Sequence, residues 1–140
     1  MKGPNEKQSL HVTAGLIWKQ GRVLIAKRPE GSQHEGFWEF PGGKQEKDES
    51  LEDCLEREIE EELGVRIRPV EKLLTVEHDY GTKAVSLHVF HCTGLKGEPK
   101  SLQAQDLKWV DPSHFERYTF LPPDKKVVEF LTREKFLPYC

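Results

Sequence analysis

The chain lacks the features that mark membrane proteins, secreted proteins and nucleic-acid-binding proteins. No run in its 140 residues approaches the ~18 consecutive apolar residues of a membrane-spanning helix. The N-terminal segment MKGPNEKQSL has no apolar core of the kind that a signal peptide needs. The net charge of −3 gives no overall positive field, and no basic stripe with interleaved aromatic residues is present. We therefore expect a cytoplasmic protein with no membrane or nucleic-acid partner.

Cysteine is also scarce, and the residues present do not suggest a disulfide framework. The three cysteines show no CxxC spacing: Cys54, Cys92 and Cys140. An odd and widely spaced set is typical of reduced thiols in a cytosolic protein. Repeats, low-complexity tracts and linkers are absent too. Residues 1–140 are therefore predicted to form one domain.

Several segments alternate apolar and polar residues, which predicts β-strands. The clearest are residues 11–18 and 84–92. The first places Val12, Ala14, Leu16 and Trp18 on one face, and the second places Val85, Leu87 and Val89 on one face and Ser86, His88 and Phe90 on the other. The dipeptide Gln20-Gly21 marks a turn after the first of them. The other predicted strands are residues 23–27, residues 107–110 and one or two within 66–76, and residues 94–105 are predicted to be a loop.

Two further segments have the character of helices. Residues 50–63 contain no glycine or proline, and Gly64 is placed to end a helix as its C-cap. Pro122 and Pro123 are suited to open a last helix, which is predicted to run to about Lys135. Strands around two helices indicate an α/β layer fold with a mixed sheet.

The first helix carries a cluster of carboxylates. Glu58, Glu61 and Glu62 fall within an arc of about 100° on the helix. They lie beside its apolar stripe, which is formed by Leu51, Leu55, Ile59 and Leu63. Clustered like charges are unfavourable unless Arg57 or a divalent cation lies among them. Mg²⁺ commonly shares its ligands between carboxylates and substrate phosphates, although an acidic surface helix would show the same charges.

A glycine, an arginine and a second glycine surround these carboxylates at fixed spacing. The segment 43–65 reads GKQEKDESLEDCLEREIEEELGV. It resembles the Nudix box, G-x5-E-x7-R-E-U-x-E-E-x-G-U with U aliphatic, at all nine specified positions. Those positions are Gly43, Glu49, Arg57, Glu58, Ile59, Glu61, Glu62, Gly64 and Val65.

The resemblance implies a fold, a reaction and a metal site. The implied fold is a Nudix-type α/β/α sandwich with a mixed central sheet. The implied reaction is hydrolysis of a nucleoside diphosphate linked to another group. In this family the box forms a loop–helix–loop that binds Mg²⁺, with Mn²⁺ as the alternative. Matched by position, the implied metal ligands are the Gly42 carbonyl and the carboxylates of Glu58, Glu61 and Glu62.

The resemblance also implies roles for the other box residues. Arg57 would orient a box carboxylate by hydrogen bonding, and Glu49 would brace the box. Gly43 and Gly64 would be structural. Glu58 is the first candidate for the general base, and a carboxylate outside the box is the alternative. The implied catalytic residues are Arg57, Glu58 and Glu62.

Motifs outside the box resemble the MutT-like branch of the family, and with them the resemblance spans Val12 to Leu131. The branch implies hydrolysis of a nucleoside triphosphate to a monophosphate and pyrophosphate. Its best-known substrates are oxidised purine nucleotides such as 8-oxo-dGTP, whose removal sanitises the nucleotide pool as part of DNA repair. The motifs are LIAKR at 24–28, WEFPGGK at 38–44, LKWV at 107–110 and FLPPD at 120–124.

Two alternatives to an 8-oxo-dGTP hydrolase stay open. Other members of the branch hydrolyse CTP, dCTP or modified cytidine nucleotides. A non-catalytic nucleotide-binding module is the second alternative, but such modules commonly lose box carboxylates and this chain keeps all of them. For any of these we expect a small-molecule nucleotide as partner and a monomer or homodimer.

Five residues outside the box are candidates for substrate binding: Arg28, Glu39, Phe40, Phe90 and Asp124. Arg28 matches the branch's phosphate-binding arginine, and its alternative is a surface arginine at a strand end. Phe40 and Phe90 have the aromatic faces that stack on a base, and core packing explains them equally well. Glu39 would hydrogen-bond either the nucleotide or the loop that carries it.

Asp124 bears on the identity of the base. Some branch members have asparagine here, which offers both a donor and an acceptor. An ionised aspartate only accepts, so it suits guanine N–H groups or a cytosine amino group, and it needs a proton to donate to a carbonyl. Its alternative role is a first-turn residue that favours the helix dipole.

Overall fold

The computed structural model of the chain describes residues 8–104 and 106–134. The predicted helix end near Lys135 lies outside the described residues, as does Cys140. No helix among the described residues is long and apolar enough to cross a membrane. The elements are β1 Gln8–Lys19, β2 Arg22–Lys27, β3 Trp38–Glu39, α1 Leu51–Leu63, β4 Arg66–Asp79, β5 Lys83–Lys96, β6 Asp106–Val110, a 3₁₀ helix Pro112–Arg117, and α2 Pro122–Glu134.

The strands form one mixed sheet of six, in the order β3-β2-β1-β5-β4, with β6 also paired to β2. The central pair, β1 and β5, is parallel, and it runs in register from Gln8 beside Lys83 to Ile17 beside Cys92. The remaining pairs are antiparallel. This mixed sheet confirms the predicted arrangement.

One helix covers each face of the sheet, because residues that alternate along a strand point to opposite sides. On one side Leu55, Ile59 and Leu63 of α1 belong to a buried cluster with Phe90. On the other side Val127 of α2 belongs to a second buried cluster, which includes Leu16 and Val89. These two layers confirm the α/β/α sandwich.

The β1 and β2 strands pair over only a short length, and the site lies where β1 is no longer paired with β2. The two strands pair only at Trp18 with Val23 and at Lys19 with Arg22. The freed edge of β1 is taken up by the glycine loop, residues 41–45. Here the Thr13 N–H donates to the Gly43 carbonyl at 2.8 Å, and the Gly15 N–H donates to the Pro41 carbonyl at 2.7 Å.

The structure settles one open alternative, moves one predicted boundary and adds one element. Residues 66–79 form a single strand through Pro69, with a register shift between Pro69 and Glu71. Proline is tolerated there because β4 ends the strand order and proline has no N–H to donate. The predicted loop begins later than residue 94, since β5 continues to Lys96. The 3₁₀ helix at 112–117 was not predicted.

Candidate functional site

The box helix is held at both ends by capping residues. The Ser50 side chain accepts the N–H of Asp53 at 3.0 Å, which satisfies one of the free donors of the first turn. Gly64 ends the helix in the left-handed conformation, with φ of 68°, and its N–H donates to the Glu60 carbonyl. The apolar stripe between these caps packs against the sheet. The rotation of the helix about its axis is thereby set, and with it the direction of each carboxylate.

A cavity of about 670 Å³ opens beside the glycine loop. Its apolar floor comes from β1 and β5, with Val12 and Leu87 among its members. Eight residues predicted for the site lie together on its wall. They are Arg28, Glu39, Phe40, Gly42, Gly43, Glu58, Glu62 and Asp124.

Two glycines let the carboxylates approach the loop closely. A Cβ added at Gly43 would overlap the carboxylate of Glu58, so this carboxylate rests directly on the loop backbone. A Cβ added at Gly42 would overlap the Thr13 carbonyl of β1. Side chains at these two positions would therefore push the loop away from both the helix and the sheet.

The two cavity carboxylates of α1 are disfavoured as anions in the metal-free protein. Burial raises the pKa of Glu58, and the adjacent Arg57 opposes this. Burial raises the pKa of Glu62 to about 8, with the charges of Glu58 and Glu39 adding to the effect. A hydrogen bond from the Gly42 backbone opposes it. A bound divalent cation would remove this penalty, because it supplies the missing positive charge.

Arg57 ties the helix to the loops on either side. Its Nε and Nη2 donate to the two oxygens of Glu49 at 2.6 and 2.9 Å, a bidentate pair. Its Nη1 donates to Glu58 at 3.1 Å, and Nη2 donates to the Lys44 carbonyl at 3.2 Å. These bonds lower the pKa of Glu49 to about 2 and raise that of Arg57. The geometry places Arg57 and Glu49 behind the cavity wall, where they position Glu58.

Glu61 is not among the described residues that line the cavity. Its side chain is 51% exposed, and it accepts a hydrogen bond from Arg57 at 3.2 Å. Among the described residues, no three histidine, cysteine or acidic side chains are gathered closely enough to hold an ion by themselves. The donors that face the cavity are the carboxylates of Glu58 and Glu62 beside the Gly42 backbone. This set of hard oxygens fits Mg²⁺ or Mn²⁺ with coordination positions left for phosphate.

The cavity wall also contains a buried carboxyl group. Asp124, in the first turn of α2, is 5% exposed, and its Oδ2 accepts the Phe40 N–H at 2.9 Å. Burial raises its pKa well above the ordinary value, and the Glu39 charge adds to this. Burial also raises the pKa of Glu39, against the opposing charge of Arg28 at 3.4 Å. Burial therefore favours the protonated form of Asp124, in which the side chain can donate as well as accept a hydrogen bond.

The two candidate aromatic residues lie on opposite faces of the sheet. Phe40 lines the cavity and also packs on Phe120, with ring centroids 5.4 Å apart. Phe90 is buried in the cluster under α1, and it is not among the described residues that line the cavity. The alternation of β5 explains this, since Val89 and Phe90 must point to opposite sides. Phe90 is therefore withdrawn as a substrate-binding residue and assigned to the core.

Sequence reasoning missed the contribution of the β4–β5 hairpin. Tyr80 and Lys83 line the cavity mouth, and the Tyr80 N–H donates to the Lys83 carbonyl at 2.8 Å. The Lys83 ammonium lies 5.6 Å from the centre of the Tyr80 ring. Across the mouth, the His34 ring is 6.1 Å from that of Tyr80. Gly81 between two alternating segments signals a hairpin, but only the sheet register shows that its tip reaches the cavity.

Comparison with known proteins agrees with this architecture. A family profile described as NUDIX domain matches residues 13–130. A CTP pyrophosphohydrolase from Escherichia coli K12 is 33% identical over 86% of this chain and 89% of the relative. An 8-oxo-dGTP diphosphatase from Proteus vulgaris is 44% identical over 66% of this chain and 84% of the relative. The solution structure of the E. coli ORF135 protein superposes with a TM-score of 0.83 at 31% identity, covering 92% of each chain.

These similarities cover the box, the cavity and both helical layers of the chain. Nudix hydrolases generally need a divalent metal, typically Mg²⁺, in keeping with the oxygen donors of the cavity. The profile match and the extent of the similarity to the E. coli and Proteus proteins show that the chain belongs to the Nudix hydrolase family.

Proposed function

We propose that this chain catalyses the Mg²⁺-dependent hydrolysis of a nucleoside triphosphate to a nucleoside monophosphate and pyrophosphate. The observation that carries the proposal is the set of groups that line one cavity. Glu58 and Glu62 lie beside the glycine loop, and Asp124 and Phe40, joined by a hydrogen bond, line the same cavity. Its volume of about 670 Å³ suits a nucleotide-sized ligand. We also infer that one Nudix domain, within residues 13–130, carries the activity.

The residues of the cavity divide the chemical work. Glu58, Glu61, Glu62 and the Gly42 carbonyl are the proposed metal ligands, and the bound cation would polarise the bridging phosphate and lower the pKa of the attacking water. Glu58 is the first candidate to accept the proton of that water. Glu39 is the candidate outside the box, because it lines the same cavity.

Two cationic groups are placed to receive the phosphate chain. Arg28 donates through Nη2 to the Gln33 carbonyl at 3.1 Å, so its guanidinium is held at the cavity wall. Lys44 follows the glycines and lines the same wall. Their charges would stabilise the negative charge that shifts onto the leaving pyrophosphate or monophosphate.

Asp124 is the proposed reader of the base. As a neutral carboxyl group it can donate to a base carbonyl and accept from a base N–H, which suits the edge of an oxidised guanine. Hydrolysis of 8-oxo-dGTP, in nucleotide pool sanitation, is therefore the first candidate activity. Hydrolysis of CTP, dCTP or modified cytidine nucleotides is the second, because the E. coli relative named CTP pyrophosphohydrolase matches 86% of this chain.

The experiment is a measurement of pyrophosphate release from a nucleotide panel with Mg²⁺ near neutral pH. The panel contains 8-oxo-dGTP, dGTP, CTP, dCTP, 5-methyl-dCTP and ADP-ribose, and Glu62→Gln is the inactive control. A strong preference for 8-oxo-dGTP over dGTP supports the first candidate, and preference for cytidine nucleotides supports the second. Absence of turnover with every nucleotide refutes the proposal in favour of a binding module.

A further inference from the structure

Thr13 of β1 and Cys54 of α1 face each other beneath the glycine loop. Neither residue is one of the nine specified box positions. Thr13 is 1% exposed and Cys54 is 0% exposed. Their side-chain oxygen and sulfur are 3.5 Å apart. A hydroxyl and a thiol in such a dry place need hydrogen-bond partners. Here the partners are each other, the backbone of Gly43 and, for the Cys54 sulfur, Arg57 Nη2 at 4.0 Å.

The hydrogen bonds close a ring through the backbone of Gly43. The Gly43 N–H donates to Thr13 Oγ1 at 3.4 Å, and the Cys54 thiol donates to the Gly43 carbonyl at 3.5 Å. The Thr13 hydroxyl donates to the Gly43 carbonyl at 3.2 Å, and its oxygen lies 3.5 Å from the Cys54 sulfur, which closes the ring. Burial raises the pKa of the Cys54 thiol, so the sulfur keeps its proton and remains a donor.

Gly43, which the ring holds, lies in contact with one candidate metal ligand and next to another. The Glu58 carboxylate rests against the Gly43 Cα so closely that a Cβ would overlap it. The adjacent Gly42 contributes its N–H to Glu62, and its carbonyl is a proposed ligand. From the far side, Arg57 donates to the Lys44 carbonyl at 3.2 Å. The loop is therefore held from the helix by Arg57, and from the sheet by the backbone hydrogen bonds of Thr13 and Gly15 together with the ring.

We propose that Thr13 and Cys54 are positioning residues, which fix the glycine loop at the depth where Gly42, Glu58 and Glu62 together bind the metal. The proposal rests on the proposed function, since it takes those three residues as ligands. Neither Thr13 nor Cys54 is one of the proposed metal ligands. Their effect passes through the backbone of the loop, as hydrogen-bonding partners of ligands commonly act.

The decisive variant is Thr13→Val, which keeps the shape of the side chain and removes the hydroxyl. Thr13→Ser is the matched control, because it keeps the hydroxyl and removes the methyl group. We expect Thr13→Val to weaken Mn²⁺ or Mg²⁺ binding roughly 10-fold in calorimetric titration without nucleotide. Thr13→Ser is expected to bind the metal as the wild type does.

A second readout follows the loop itself. Amide hydrogen exchange by NMR should show faster exchange of the Gly43 N–H in Thr13→Val, while amides in the middle of α1 exchange as in the wild type. In steady-state assays the Mg²⁺ concentration for half-maximal rate should rise roughly 10-fold, with the nucleotide KM at saturating Mg²⁺ unchanged. Cys54→Ala, which removes the thiol donor, should change the same quantities in the same direction, and it serves if Thr13→Val does not fold.

The outcomes separate this inference from the proposed function. Wild-type metal affinity in folded Thr13→Val, or a loss that Thr13→Ser shares, would overturn the positioning role. Unchanged exchange of the Gly43 amide would overturn it as well. If metal affinity changes as expected but the wild type hydrolyses no nucleoside triphosphate, the positioning role stands and the proposed function fails.

Discussion

Replacing Glu62 with glutamine is expected to abolish turnover and, without metal, to stabilise the fold. Glutamine has the volume of glutamate but carries no charge. Burial and the neighbouring carboxylates raise the pKa of Glu62 from 4.5 to about 8 in the folded protein. The unfolded chain therefore ionises this group from about pH 4.5 upward, while the folded protein keeps it protonated to about pH 8. Stability is lost as the pH rises through this window.

The size of the effect follows from the width of that window. Each pH unit between the two pKa values changes the free energy of unfolding by about 1.4 kcal/mol. Near pH 7 this corresponds to ~3 kcal/mol at most, and relaxation around Glu58 reduces it to about 1–3 kcal/mol. Glu62→Gln should be more stable than the wild type by this amount, because glutamine has no charge to bury.

Urea denaturation in EDTA, from about pH 4 to about pH 8, measures the difference. The gain should disappear below the ordinary pKa of glutamate, where both states hold the proton. Added Mg²⁺ should stabilise the wild type and leave Glu62→Gln nearly unchanged. Glu56→Gln, an exposed position on the same helix, is the control and should show no such gain. A variant less stable than the wild type near pH 7 in EDTA would refute the reasoning, and so would wild-type rates in saturating Mg²⁺.

Three further predictions concern the base reader, the loop and a buried histidine. Asp124→Ala should change the preference among nucleotide bases more than it lowers the rate with any one nucleotide. Measuring kcat/KM across the nucleotide panel tests this, and an unchanged preference would leave Asp124 as a helix-end residue. Gly43→Ala should displace Glu58 and lower kcat at least 10-fold with the fold retained, as circular dichroism and rate assays will show. Burial, and to a smaller extent the charge of Lys72, lowers the pKa of His88 below its usual value of 6.5. As the pH drops below 6.5 the unfolded chain gains this proton before the folded protein does, so the free energy of unfolding should fall. His88→Gln should reduce that loss, measured as the difference in urea midpoint between about pH 7.5 and about pH 5.5.

Local sequence was sufficient wherever one element carries the information by itself. The absence of glycine and proline from 50–63 and the glycine at 64 predicted α1 and its end, and both are confirmed. The alternation of 11–18 and 84–92 predicted two strands, which the sheet pairs in parallel at its centre. The nine box positions predicted the family, which the profile match confirms.

Prediction failed where the answer depended on how elements pack. Phe90 and Val89 alternate in sequence, but alternation alone does not say which face borders the cavity and which lies under α1. The sequence left open whether Pro69 divides residues 66–76 into two strands, and the structure shows that β4 passes through it at the end of the strand order. Both cases depend on which elements lie beside a strand. The local pattern of a single sequence does not contain that information.

The sequence by itself determined the chemistry that this protein can offer: the carboxylates, the arginine and the glycines, in an order that only a loop followed by a helix can present. The tertiary structure alone decided which of them meet. Thr13 and Cys54 are 41 residues apart, and the Asp124 carboxyl group lies 84 residues from the N–H that it accepts. Such contacts form because the two helices bury their apolar faces on the sheet and the glycine loop pairs with the edge of β1. That burial is a property of the whole fold, and residue spacing in a single segment does not encode it.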